Sequence, residues 1–402
     1  MTGLRLAFVT RKFWPLVGDN ELLVSTLAAE LLHRGHRPTI VTPKYGKYWP
    51  TNVCVREAPV VRLPHPPPRT WGNVRFSFAV SSWLQQRQQE LDAVIVSGPQ
   101  EDALTALGAL RSSRVAVILQ EEIGLDADHG PRRFGDQLLR RLRGCDGFVR
   151  WGETTHAGAL PAWLPPEKLF RLKLGVEVPP PRTPAARLAA RQSLAEVNHD
   201  LAVAPESPVA LCLAPLVDEA QLELLARAWR PVQSRWPEAR LWIVGDGPTR
   251  GALFTFLSDL NLKYRVVLPG TFDDWTVLLQ AADLLVQPAG AEQPSWATLE
   301  GLAAGLPVIQ FHSSEPTTPL PDLSPGSTPS ELPAVLHVPH AEPDQLAGQL
   351  MGLMENSSLL VRLGEQGRKL VMEQYQIQRM VDAYERLLVS LVAARQNAAG
   401  PA

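Results

Sequence analysis

Cysteine is scarce in this chain of 402 residues: Cys54, Cys145 and Cys212 stand far apart, with no CxxC pair and no Cys/His cluster. A disulfide framework is therefore not the organising device, and no metal site is expected. Cys212 sits inside an apolar run and reads as an inert buried thiol. Charge of one sign is lacking too, since the formal net charge is −2. No global field exists to gather nucleic acid, and none is expected as a partner. Long apolar runs are missing: nothing approaches the roughly twenty residues that span a bilayer. No charged n-region followed by an apolar stretch opens the sequence. A cytoplasmic protein is the expectation.

What is present is an ordinary globular composition, 45% apolar and 20% charged. A chain of this length is expected to form two domains. Proline is plentiful, at 37 residues, and clusters in connections. Leu4–Thr10, an amphipathic segment from Asn20 to Gly35, and His36–Thr42 read as a βαβ unit opening a parallel sheet. Residues 50 to 75 read as irregular and Pro-rich. Apolar strands follow at 92–96, 114–119, 147–152 and 168–172. Val178-Pro179-Pro180-Pro181-Arg182-Thr183-Pro184 reads as a stiff linker. A second series begins at Val209–Leu213, and a long amphipathic helix runs from Gln378 to Ala394.

The most informative stretch is Asp283 to Gln310, DLLVQPAGAEQPSWATLEGLAAGLPVIQ. Leu284-Leu285-Val286 reads as a buried strand and Pro288 to Pro294 as a loop. Ser295 is placed to N-cap a helix through Trp296, Leu299 and Leu302, which Gly305 ends. Glu292 and Glu300, with seven residues between them, frame the loop and the first helical turns. A carboxylate accepts two hydroxyl donors, so vicinal diols suit it. The helix N-terminus suits phosphate oxygens. The simpler alternative makes both glutamates solvated surface residues.

Two further segments leave alternatives open. Arg132, Arg133, Arg140, Arg141 and Arg143 make a basic amphipathic segment around Phe134, Leu138 and Leu142. It reads either as a solvated surface helix or as a peripheral contact with anionic lipid at the inner membrane face. A strand followed by Gly245-Asp246-Gly247-Pro248 resembles half a dinucleotide fingerprint, but Arg250 replaces the third glycine.

Glu292, seven residues, Glu300, then Ala303-Ala304-Gly305-Leu306-Pro307-Val308 resembles the donor-sugar motif of GT-B glycosyltransferases of the family 4 type. Arg34-Gly35-His36, Gly175-Val176, Val244-Gly245-Asp246-Gly247-Pro248 and Val266–Thr271 resemble the same family. The resemblance implies an α/β GT-B fold, two Rossmann-like doubly wound domains facing a cleft. It places an acceptor domain at 1–178, a linker at 179–190 and a donor domain at 191–375. A helix at 376–396 would cross back to the first domain, and 397–402 would be a disordered tail. It implies a retaining, metal-independent transfer of a hexose from a nucleotide diphosphate sugar to a glycan or lipid-linked acceptor, without a cofactor. Glu292 would hold the donor-sugar hydroxyls as the catalytic residue, and Glu300 the ribose diol. Amides at Ser295 and Trp296, and Gly18, would meet phosphate, with Gly247 and Thr271 near the base.

The chain departs from that family where cations and glycines serve the ligand. Asp19 follows Gly18 in place of a second glycine, and Gln120-Glu121-Glu122 replaces a histidine. Pro215 and Ala220 stand where an arginine and a lysine would neutralise the diphosphate. Phe311-His312-Ser313 replaces a late Gly-Gly pair. Arg11, Lys12, Arg150, Lys173 and Arg250 are candidates to substitute for the lost cations. A non-catalytic GT-B protein that binds or scaffolds is the alternative reading.

Overall fold

The computed structural model describes residues 3–15, 18–64, 69–121, 140–152, 164–217, 219–272, 274–288, 295–311, 333–338 and 342–398. The chain divides into two compact units, Met1–Leu174 with Gln378–Ala402, and Gly175–Ile377. Each is an α/β unit built on a parallel sheet. Among the described residues no helix is long and apolar enough to cross a membrane.

The first unit holds β1 (Arg5–Thr10), β2 (Arg37–Lys44), β3 (Asn52–Val55), β4 (Ala58–Pro64), β5 (Ala93–Ser97), β6 (Ala116–Gln120), β7 (Gly147–Trp151) and β8 (Leu169–Leu172). Their order is β3-β4-β2-β1-β5-β6-β7-β8. Among the described residues of this sheet only β3 pairs antiparallel. Leu6, Ala7, Phe8 and Val9 are all fully buried, as a strand covered on both faces requires. Helices α1 (Asp19–His33), α2 (Arg69–Arg87) and α3 (Gln100–Ala109) follow β1, β4 and β5.

The stretch expected to be irregular, 50 to 75, instead carries the β3–β4 hairpin and the start of α2. Val55 pairs with Ala58 across a two-residue turn. Both turn residues, Arg56 and Glu57, have positive φ, 47° and 68°. That is the geometry a two-residue hairpin needs, normally signalled by Asn or Gly, which this turn lacks.

The terminal helix Ile377–Ala398 packs, from Gln378 on, within the first unit. It runs past Gln396 to Ala398, further than the expected start of the tail. The Arg34-Gly35-His36 turn grips it. Arg34 Nη1 meets Asp382 at 2.6 Å and Glu385 at 2.8 Å. His36 Nε2 meets Glu385 at 3.0 Å, while its Nδ1 accepts the Leu4 amide. The bonds from Arg34 and His36 hold the Glu385 carboxyl below its ordinary value. A depressed folded value stabilises fully above the unfolded glutamate value of about 4.3 and is lost as pH falls through the folded one. Glu385→Gln should therefore lower the melting temperature at neutral pH, with the gap from wild type closing below about pH 4. A gap that persists unchanged in acid would contradict this.

The second unit holds β9 (Val209–Leu213), β10 (Arg240–Val244), β11 (Val266–Gly270), β12 (Leu284–Pro288), β13 (Val308–Phe311) and β14 (Leu336–Val338). The order β11-β10-β9-β12-β13-β14 is that of a dinucleotide-binding Rossmann sheet. The strand order reverses at β9, so the carboxyl ends of β9 and β12 flank the switch point where such sheets bind ligands. Around the sheet run α4 (Pro184–Val197), α5 (Glu219–Arg235), α6 (Arg250–Asp259), α7 (Thr276–Ala281), α8 (Trp296–Ala303), α9 (Pro343–Glu355) and α10 (Ser357–Gln374).

Within the stretch 179–190, α4 starts at Pro184 and its arginines are bonded into the unit. Asp283 accepts Arg187 Nε at 2.7 Å, Arg191 Nη2 at 2.9 Å and the Val209 amide at 2.8 Å. Arg191, 2% exposed, also donates to the carbonyls of Ala281, Ala204, Pro205 and Ser207. Arg182 donates to the Ala282 carbonyl, and burial pulls its pKa down to about 10. Residues 357–374 form one helix. Its glycines serve packing: a Cβ on Gly364 would lie 2.2 Å from the Gly305 carbonyl, and one on Gly367 2.5 Å from Leu302. They let α10 lie flush on α8.

Candidate functional site

The candidate site lies at the carboxyl edge of the second sheet. Helix α8 starts there with Ser295 as N-cap, its side chain accepting the Thr298 amide at 3.2 Å. Ser295 Oγ and Thr298 Oγ1 are 3.0 Å apart, and Gln310 Nε2 donates to Thr298 Oγ1 at 3.0 Å. This string ties the first helical turn to β13. The amides of Trp296 and Ala297 precede the first intrahelical bond, as in any helix start. They and the dipole favour an anion. Gly301 holds α8 close to β12, since a Cβ there would come within 2.4 Å of Leu285.

Glu300 is half-buried one turn into α8. Trp296 Nε1 donates to Glu300 Oε1 at 2.9 Å. The indole itself is buried, 2% exposed, so Trp296 offers the site its backbone amide and orients the carboxylate. Glu292 lies outside the described residues.

Gly247 and Thr271 lie at the same edge, after β10 and β11. Gly247 has a packing reason of its own: a Cβ would sit 2.2 Å from the Leu216 carbonyl. Gly245, at φ 153°, likewise comes within 2.0 Å of the Ala214 carbonyl in Cβ terms. The loops after β9 and β10 thus lie backbone to backbone, joined by Leu216 N to the Asp246 carbonyl at 3.1 Å. Thr249 Oγ1 adds a bond to the Leu216 carbonyl at 2.7 Å. Pro215 is exposed in this loop, and Thr271 is exposed beyond Gly270.

Residues 207–356 match the family described as glycosyl transferases group 1, and residues 23–205 the glycosyl transferase 4-like domain. The chain belongs to this glycosyltransferase family. Among relatives of this family member is the lipopolysaccharide core biosynthesis glycosyltransferase LpsE of Rhizobium meliloti (strain 1021). It is 28% identical over 185 residues, which cover 46% of this chain and 51% of LpsE. The chain spans about half the length of that relative. The solved structure of Anabaena HepE with UDP and glucose is similar with a TM-score of 0.69 at 15% identity, covering 96% of this chain and all of HepE. Sucrose-phosphate synthase from Thermosynechococcus elongatus gives 0.72 at 16%, covering 97% of this chain and 100% of its own. These likenesses establish the GT-B fold.

Two of the departures, at Gly18-Asp19 and at Gln120-Glu121-Glu122, fall in the first unit. Gly18 caps α1 with extended backbone, and a Cβ on it would meet Glu21 Oε2 at 2.5 Å. Glu21 is 9% exposed and burial raises its carboxyl pKa. The chain's own carboxyl thus covers the helix start at Gly18. Gln120, just where a histidine was expected, is fully buried and turned inward. Its Nε2 donates to Ser97 Oγ at 3.2 Å and its Oε1 accepts from Tyr384 at 2.7 Å. Ser97 in turn donates to Asn20 Oδ1 at 2.8 Å. Glu121 pairs with Arg150 at 3.1 Å, and Glu122 and His129 lie outside the described residues.

Three candidate replacement cations are already engaged. Arg11 makes a two-pronged bond to buried Asp102 at 2.7 and 2.8 Å. Arg150 holds Glu121, and Arg250 donates to the Leu268 carbonyl at 2.7 Å. Of the basic segment, Arg132 and Arg133 lie outside the described residues, while Arg140–Gly144 is a 3-10 turn with Leu142 buried. The residues that sequence reasoning missed are Thr298 in the first turn of α8, Gln310, which donates to it, and Gln287, in register with Gln310.

Proposed function

We propose that this protein is a glycosyltransferase that moves a hexose, with retention, from a nucleotide diphosphate sugar to a glycan or lipid-linked acceptor. One observation carries the reading: an α8 N-terminus capped by Ser295, with Glu300 one turn on, at the switch point of a Rossmann-ordered sheet. Helix amides suit the diphosphate, and a carboxylate oriented by the Trp296 indole suits the ribose diol. The UDP named with HepE makes UDP-sugars the first donors to try. Glu292 takes the donor-sugar hydroxyls on the strength of its place in the motif. Gly247 and Thr271, at the β10 and β11 ends, border the base. The leaving phosphate oxygen takes the acceptor proton, so no separate general base is required. A phosphate role for Gly18 is disfavoured by the neighbouring Glu21 carboxyl, which would repel the ligand there. Exposed Arg140, Arg141 and Arg143 suit an anionic lipid surface near the acceptor.

A second reading, a non-catalytic binding protein of the same fold, is favoured by the engagement of Arg11, Arg150 and Arg250 within the protein. Calorimetry with UDP-, GDP- and ADP-sugars, followed by assay for released nucleotide, separates the two. Binding with release supports transfer, and binding without release supports the second reading. Binding of no nucleotide would sink the donor site itself.

A further inference from the structure

Gln287 is the odd residue of β12. Its neighbours Leu284, Leu285 and Val286 are buried apolar side chains, and Gln287 is buried with them, 1% exposed. Its Nε2 is one of ten buried side-chain polar atoms without a hydrogen-bond partner among the described residues. An orphaned buried donor is costly and rare in a folded protein. Such a group calls for an explanation, and its position supplies one.

Side chains alternate along a strand, so Gln287 shares the face of Leu285. Leu285 touches α8 at Gly301. Gln287 is in register with Gln310, whose Nε2 reaches Thr298 in the first turn of α8. The orphaned amide therefore lies at the carboxyl end of β12, beneath the first turn of α8, on the helix side of the sheet. Its nearest polar neighbours by register are satisfied among themselves, through Gln310, Thr298 and Ser295.

We propose that Gln287 is a ligand-binding residue of the donor site, its amide N–H reserved for an oxygen of a nucleoside diphosphate. Phosphate oxygens only accept, and an amide N–H only donates, so the match is one of type as well as place. The group is neutral, and it stands in a chain where Pro215 and Ala220 occupy the positions of the family's cations. Here the diphosphate is held by dipoles, the α8 amides and the Gln287 amide, instead of by paired cations. The inference rests on the donor-site reading above.

The test uses the full chain with Gln287→Leu and Gln287→Glu. Leucine removes the orphan at similar volume, so a residue kept only for the ligand gives an uncommon pair of effects. Gln287→Leu should keep or raise the melting temperature, since a buried orphan disappears. It should also weaken binding of UDP, GDP or ADP, whichever the wild type takes, by about 10- to 100-fold. The matching nucleoside without phosphates should bind as before. Gln287→Glu should weaken the diphosphate further, because it sets a carboxylate against it. A lowered melting temperature in Gln287→Leu would reveal a structural partner and overturn the proposal. So would unchanged diphosphate affinity, or a loss seen only with the sugar nucleotide, which would assign the amide to a sugar hydroxyl. A wild type that binds no diphosphate sinks the donor-site reading together with this one. A wild type that binds, with Gln287→Leu unchanged, sinks this inference alone.

Discussion

Asp283→Ala is expected to cost the second unit about 3–5 kcal/mol, the usual penalty for breaking one side of a buried ion pair. The reason is what it leaves behind. Arg191 is 2% exposed and Arg187 is three-quarters covered, so two guanidinium groups lose their carboxylate with little water to replace it. The Val209 amide loses its acceptor at the same stroke. Against typical domain stabilities of about 5–15 kcal/mol this is a large fraction, so the unfolding midpoint should fall well below that of the wild type. Denaturant unfolding followed by tryptophan fluorescence reads this directly, because Trp229 and Trp242 are buried in this unit. Asp283→Asn should lie between alanine and wild type, since it can still accept hydrogen bonds but no longer balances the charge. Equal midpoints for Asp283→Ala and wild type would show that the arginines hold the α4 segment through carbonyls alone.

Glu300→Gln should have the largest effect on ligand binding. Hydrogen bonds to a charged group are worth about 1.5–3 kcal/mol each, so loss of a pair to a diol should weaken nucleotide-sugar affinity by roughly 10²–10⁴. Glutamine is the informative change because its carbonyl can still accept from the Trp296 indole. Alanine would leave that indole N–H buried and unpaired, and a loss of binding could then be blamed on folding. The comparison is calorimetric affinity beside melting temperature. A Glu300→Gln protein that melts with wild type and binds UDP-glucose equally well would remove Glu300 from the site. Removal of one oriented carboxylate should also lower turnover more than it lowers stability.

Much of the fold was legible because parallel strands buried on both faces read as short apolar runs at regular intervals. Val209–Leu213 and Ala93–Ser97 are of this kind. The β3–β4 hairpin was not, since Arg56 and Glu57 adopt positive φ without the residues that advertise it. Gly364 and Gly367 are contact points in space, a role that sequence spacing does not show. Nothing in the spacing of Arg187 and Arg191 points to Asp283; only the fold brings that carboxylate to them. Of the site, Glu300 and the Ser295 cap could be read from spacing. The inward turn of Trp296 could not, because four-residue spacing permits the bond to Glu300 without requiring it. Gln287 hid inside an apolar strand, where a single polar residue just before a loop was the available signal.

The scarcity of cysteine has a practical corollary. Cys54 is exposed, whereas Cys145 and Cys212 are buried and desolvation pushes both thiols up to about 12. Cys145 belongs to the first unit and Cys212 to the second. A thiolate is the species that alkylating reagents attack, so the two interior thiols are shielded twice, by access and by protonation. With Cys54 replaced by serine, the protein carries one concealed chronometer in each half. The rate at which each becomes labelled in pulsed alkylation measures how often its own half opens, without any engineered probe.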